Sequence, residues 1–212
     1  MKSIKHVTLR YVVARSKELL YQRRNGDLPW LTESANRFLD TYLLSSDVGL
    51  EFGSGRSTLW LASRVSRLVS VEHDEDWHRQ ITQALVQRQV LNVDYRYLAG
   101  DVNDMAVMDA AICAITDGFP SGRFDFVLVD GVCRDLCARE ALRLLRPGGM
   151  LVIDNVNRHL PSTSVSPGSR SYEMGPDGPL WVEIARTIKS WRHYWTSSGV
   201  TDTAFYFKPT DA

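Results

Sequence analysis

Apolar and polar positions along this chain switch period repeatedly, and each switch marks an element. Residues 8–24 and 31–44 carry apolar side chains at helical spacing, and Thr32 with Glu33 after Pro29 is a helix start. From residue 47 short apolar runs alternate with amphipathic stretches. The runs 47–52 (DVGLEF), 68–73 (LVSVEH), 94–99 (DYRYLA), 124–130 (FDFVLVD) and 150–155 (MLVIDN) predict strands. Helices are predicted over 57–66, 75–90, 104–116 and 134–145, the last stopped by RPGG. The run 124–130 is apolar almost throughout, as in a strand buried on both faces. Alternation of this kind predicts an α/β fold with a mostly parallel sheet covered on both sides.

The end of the chain departs from that rhythm. After a helix near 180–190, RHYWTSS and TAFYFK are joined by the short turn GVTD, so these two strands must pair antiparallel. Between the fifth strand and the last helix lies 156–179, rich in Pro, Gly and Ser. A loop of that length leaving the carboxyl end of a central strand is expected to contact substrate.

At 212 residues and 44% hydrophobic composition, one globular domain is expected: a helical extension over 1–44 and a core over 45–208. Formal net charge is zero, which argues against a nucleic-acid partner. The charge is uneven, though. The first 24 residues hold seven basic side chains against the single acid Glu18, a net of +6 that the rest must balance. Such a basic segment can dock on the body, on an anionic surface or on a second copy, and a homodimer through the N-terminal helices is one expectation. No apolar run approaches a membrane span. Cys113, Cys133 and Cys137 form no disulfide framework and are expected to be reduced and mostly buried, as in a cytoplasmic protein.

The chemistry concentrates in GLEFGSGRSTLWLA, residues 49–62. Gly53 and Gly55 follow a strand and open a helix, so a ligand can lie against the backbone there. No Gly-Lys-Ser/Thr follows, which excludes a Walker A loop. Glu72 ends the next strand, 21 residues after Glu51, where a carboxylate can accept both hydroxyls of a ribose. A nicotinamide dinucleotide would favour a third glycine where Thr58 stands, and Glu51 would repel its pyrophosphate. The same acid suits the amino group and sulfonium of S-adenosylmethionine.

With those residues in hand, the chain over 45–208 resembles the class I S-adenosylmethionine-dependent methyltransferases. LEFGSGRS is similar to the family's first motif, with Ser57 at a position often held by a third glycine; VSVEHD is similar to the second and LAGDV (98–102) to the third. FDFVLVDG and LLRPGGMLVIDNV resemble its fourth and fifth strands. The resemblance implies a Rossmann-like sheet of seven strands ending in an antiparallel hairpin. It implies that Glu51, Gly53, Ser54 and Gly55 hold the methionine part of the cofactor, with Ser57 and Asp130 beside it. Glu72 would take the ribose, His73 and Val102 would flank the adenine, and Asp101 would accept its amino group.

Asp130, Asp154 and Asn155 end adjacent strands at one sheet edge and form a hard oxygen set suited to Mg²⁺. This is similar to the cation-dependent catechol-type O-methyltransferases, but their lysine base is replaced here by Cys133, leaving Asp154 and His159 as candidate catalytic groups. The expected activity is methyl transfer to a small-molecule acceptor, foremost at oxygen. Transfer to nitrogen or a sugar hydroxyl without metal, a non-catalytic adenosyl-binding protein and a nicotinamide-dependent oxidoreductase stay open as alternatives.

Overall fold

Seven apolar segments pair into one sheet of order β3-β2-β1-β4-β5-β7-β6, in a computed structural model that describes residues 8–210. The strands are β1 (Val48–Phe52), β2 (Arg67–Glu72), β3 (Val93–Tyr97), β4 (Phe124–Val129), β5 (Leu145–Asp154), β6 (Arg192–Ser197) and β7 (Asp202–Phe207). The first five run parallel, and β7 lies antiparallel between β5 and β6, as the closing turn requires. Central β4 and β5 bury apolar side chains on both faces. This is why their sequence shows no alternation.

Helices cover both faces. On one, α5 (Met105–Thr116), α6 (Arg134–Leu144) and α7 (Pro179–Ile188) build a core around Met108, Ile112, Leu144 and Ile184. On the other, α2 (Glu33–Tyr42) and α3 (Arg56–Ala62) pack Leu39, Trp60 and Leu61 against Phe126 and Phe205. Gly49 of β1 makes room for the Phe126 ring, which would stand 2.1 Å from any Cβ there. The Thr32 hydroxyl caps α2 by accepting from the Ala35 amide at 3.2 Å. The remaining helices are α1 (Leu9–Arg24), whose residues are all at least partly exposed, and α4 (Glu75–Gln87). Among the described residues no helix is long and apolar enough to cross a membrane.

Two expectations need correction. β5 does not begin after RPGG: Leu145 already pairs with Phe124, and a register shift absorbs Arg146–Gly149 before Met150 pairs with Phe126. Trp30 stands 58% exposed under the Arg56 guanidinium, whereas Trp60 is buried. Cys113 is exposed, not buried. Lys2 and Lys5 of the basic segment lie outside the described residues.

Candidate active site

Strand order reverses between β1 and β4, so the helices that follow them leave on opposite faces and open a crevice at the carboxyl edge. Backbone pairing closes its floor: the Asp130 and Gly131 amides both donate to the Phe52 carbonyl, at 2.8 and 2.7 Å. Gly53, at φ +96°, is required there, since a Cβ would fall 2.4 Å from the Gly131 nitrogen.

The glycine turn satisfies its own donors. The Gly53 amide donates to the Val71 carbonyl, the Ser54 amide to Glu72 Oε2 and the Gly55 amide to Thr58 Oγ1, all at 2.9 Å. A pyrophosphate would find these three donors taken. What the crevice leaves open is an acceptor. Glu51 is fully buried; its Oε2 accepts from Thr58 and Ser70 hydroxyls at 2.6 Å, while Oε1 has no hydrogen-bond partner. The Ser57 hydroxyl stands near enough to favour ionisation without satisfying Oε1 in distance and angle. Desolvation outweighs these hydroxyls and pushes the carboxyl up to about 7. A buried carboxylate oxygen lacking a donor fits an ammonium group, and the residues present therefore fit S-adenosylmethionine better than a dinucleotide.

Glu72 is already ringed by donors. Oε2 accepts from the Ser54 amide and hydroxyl, and Oε1 from the His73 and Asp74 amides, with His73 Nδ1 2.9 Å away. Trp77, on the first turn of α4, donates from Nε1 to the Ser54 carbonyl at 2.9 Å, so it braces the turn rather than filling the core. Asp101 and Val102 lie exposed on the loop between β3 and α5, where Asp101 caps the Asn103 amide.

The proposed metal set does not fit a cation. Asp130 Oδ1 accepts from Arg134 at 2.9 Å, Asp154 Oδ1 from the Thr203 hydroxyl at 2.7 Å, and Asp154 Oδ2 from Asn155 Nδ2 at 2.7 Å. The Arg134 guanidinium also reaches the backbone carbonyls of Asp130, Gly131 and Asp154. A fixed cation thus holds the strand ends together. Burial and the neighbouring Asp154 carboxylate raise Asp130 well above the usual carboxylate range, and burial also raises Asp154. Among the described residues no group of three or more His, Cys, Asp or Glu side chains forms a metal site, so Mg²⁺ finds no support.

Beside this edge opens a cavity of about 370 Å³, lined among others by Gly131, Cys133, Arg134, Asn155, Arg158, His159, Asp177 and Trp181. Cys133, directly before α6, and Asn155, directly after β5, adopt left-handed backbone at φ 46° and 51°. Non-glycine residues held there are uncommon and gather at functional sites. His159 stacks on Trp181 with ring centroids 4.8 Å apart, and its Nδ1 lies 3.5 Å from Asp177 Oδ2 without forming a hydrogen bond. Burial, and then the Arg134 charge, lower its pKa, favouring the neutral imidazole. The loop that supplies it is tied down: Arg170 donates to the Gly175 carbonyl at 2.6 Å and to Asp177 at 3.0 Å, so it is a strut within the loop.

A family model described as a methyltransferase domain matches residues 50–156, which span the glycine turn, Glu72 and the β4 and β5 edge. This chain is a class I S-adenosylmethionine-dependent methyltransferase. Solved structures show the methyltransferase fold. One, a SAM-dependent methyltransferase from Aquifex aeolicus, is 15% identical with a TM-score of 0.52, covering 91% of this chain and 96% of that one. The [4+2]-cyclase SpnF is 15% identical with a TM-score of 0.51 over 94% and 96%. An rRNA methylase from Streptococcus thermophilus is 11% identical with a TM-score of 0.51 over 83% and 95%. No curated protein sequence matches. At such identities the likeness is one of fold, and the acceptor must be argued from this methyltransferase's own cavity.

Proposed function

We propose that this methyltransferase moves the methyl group of S-adenosylmethionine to an oxygen of a small-molecule acceptor bound between Gly131 and Trp181, with His159 as general base. The observation that carries this reading is the imidazole itself: half-buried, biased to its neutral form, with Nδ1 unsatisfied, and lining a cavity next to the glycine crevice. The bound cofactor supplies a methyl carbon activated by a sulfonium. The chain must then align the acceptor and remove its proton. Trp181 holds the imidazole plane by stacking, and Asp177 stabilises the imidazolium that forms on proton uptake. Glu51 takes the cofactor's amino group, and the ribose hydroxyls compete with the Ser54 hydroxyl for Glu72. His73, Asp101 and Val102 bound the adenine side. Asp154, locked by Thr203 and Asn155, positions the cavity wall rather than moving a proton. A cavity of about 370 Å³ and a formal net charge of zero favour a small acceptor over a nucleic acid.

The test is turnover of a panel of phenols, catechols and other hydroxylated compounds, followed by S-adenosylhomocysteine release. His159→Gln is expected to lower kcat roughly 100- to 10,000-fold while leaving S-adenosylhomocysteine affinity unchanged. The acid limb of the wild-type pH–rate profile, below the usual imidazole value of 6.5, should vanish in the variant. A variant that keeps its rate and its pH profile would remove His159 from the chemistry. Amines turned over in preference to hydroxyls would overturn the oxygen assignment.

A further inference from the structure

Helix α1 is built inside out. Tyr11, Ala14, Glu18 and Tyr21, spaced as one stripe, are its half-buried contacts with the body. The Ser198 hydroxyl donates to Glu18 Oε1 at 3.3 Å, and Asn36 Nδ2 donates to the Tyr21 hydroxyl at 3.4 Å. The opposite stripe is apolar and has no partner among the described residues: Leu9, Val12, Val13, Leu19 and Leu20 are 41% to 82% exposed. Arg10, Lys17 and Arg24 flank it on one side and Arg15 on the other, while Arg23 follows it at the C-terminal end of the helix. Of these five, Arg15 alone has a carboxylate partner among the described residues, Glu18 at 2.6 Å.

We infer that α1 is an interfacial helix that seats this methyltransferase on an anionic lipid surface. Charge complementarity selects that occupant. An apolar stripe bordered on both sides by Lys and Arg matches the acyl-chain boundary below and the anionic headgroups beside it. A second copy of α1 would face the stripe with the same five cations, and its one acid is already taken by Arg15. The helix is 16 residues long and carries these charges along its length, so it lies on a bilayer and does not cross it. The seat is also coupled to the site. Glu18 rests on the turn between β6 and β7, and Thr201 of that turn accepts from Asn155 Nδ2 at the cavity wall. This inference is independent of the acceptor and of the role of His159.

The experiment is co-sedimentation of the full chain with phosphatidylcholine vesicles and with vesicles containing added phosphatidylglycerol, at low and high salt. Each basic residue near an anionic leaflet strengthens binding by about fivefold, or ~1 kcal/mol. Binding to the anionic vesicles is therefore expected to exceed binding to the neutral ones by at least about tenfold, and to fall at high salt. The double variant Val13→Glu, Leu20→Glu should lose that binding while keeping the thermal shift that S-adenosylhomocysteine gives the wild type, which verifies its fold. Absence of binding to anionic vesicles, or binding that the double variant retains, overturns the inference. So does a light-scattering dimer that the double variant dissociates, which would make a second copy the occupant.

Discussion

Burial decides what Glu51 does with its proton. Its carboxyl sits at about 7 against the usual 4.5, because desolvation outweighs the hydroxyls of Ser57, Ser70 and Thr58. A carboxyl raised on folding stabilises the native state fully below its unfolded value and loses that contribution as pH rises through the folded one. Relative to Glu51→Gln, the unliganded wild type should therefore lose stability from about pH 4.5 to about 7 and level off above. Urea midpoints of the two proteins across this range measure the effect, and a flat difference curve would contradict it. Cofactor binding adds a second sign. An ammonium beside Oε1 favours the carboxylate, so near pH 7 binding should release a proton, and affinity should rise with pH in the wild type but not in the variant. Calorimetry of S-adenosylhomocysteine in buffers of different ionisation enthalpy reads that proton directly.

At the scale of elements, the ends of β4 and β5 are joined by a guanidinium rather than by a metal. Arg134 Nη2 reaches the Asp130 carboxyl and carbonyl, while its other nitrogens take the Gly131 and Asp154 carbonyls. Replacing it with Met leaves those acceptors unpaired beneath the cavity. Arg134→Met should cost about 2–4 kcal/mol of unfolding free energy, and Arg134→Lys should recover only part of it, because an ammonium cannot span the fork. An unchanged urea midpoint for Arg134→Met would show that the strand ends hold without it. This junction could not be read from the sequence. The strands themselves could, because β1, β4 and β5 are buried on both faces and their apolar runs are local signals. The strand-turn-helix setting of Glu51 and Gly53 and the strand-end place of Glu72 were legible for the same reason, because each is set by a local stretch of chain. Arg134 looked like a helix-start residue, and its role appears only when β4 pairs with β5. Trp77 shared a helix face with core residues, and nothing local showed its indole reaching the Ser54 carbonyl. Nothing local showed Arg170 spent on its own loop either.

Over the whole molecule, the site is a crevice between two halves of one sheet, and a ligand there bridges them. It would touch Glu51 on β1, Glu72 on β2, the loop after β3 and the edge of β4 at once. Binding the native state but not the unfolded chain should then raise global stability by mass action. S-adenosylhomocysteine at one hundred times its dissociation constant contributes about 2.7 kcal/mol, which corresponds to roughly 5–10 °C in Tm for a chain of this size. Mg²⁺ is expected to add nothing to that shift and EDTA to remove nothing, because Arg134, Thr203 and Asn155 already occupy Asp130 Oδ1 and both Asp154 carboxylate oxygens. NADH should leave the midpoint where it is, since the Gly53, Ser54 and Gly55 amides have acceptors of their own. A midpoint that moves with NADH and not with S-adenosylhomocysteine would mean that Glu51 Oε1 does not receive an ammonium group. A further increment with Mg²⁺ would mean that the Arg134 fork opens to admit a metal.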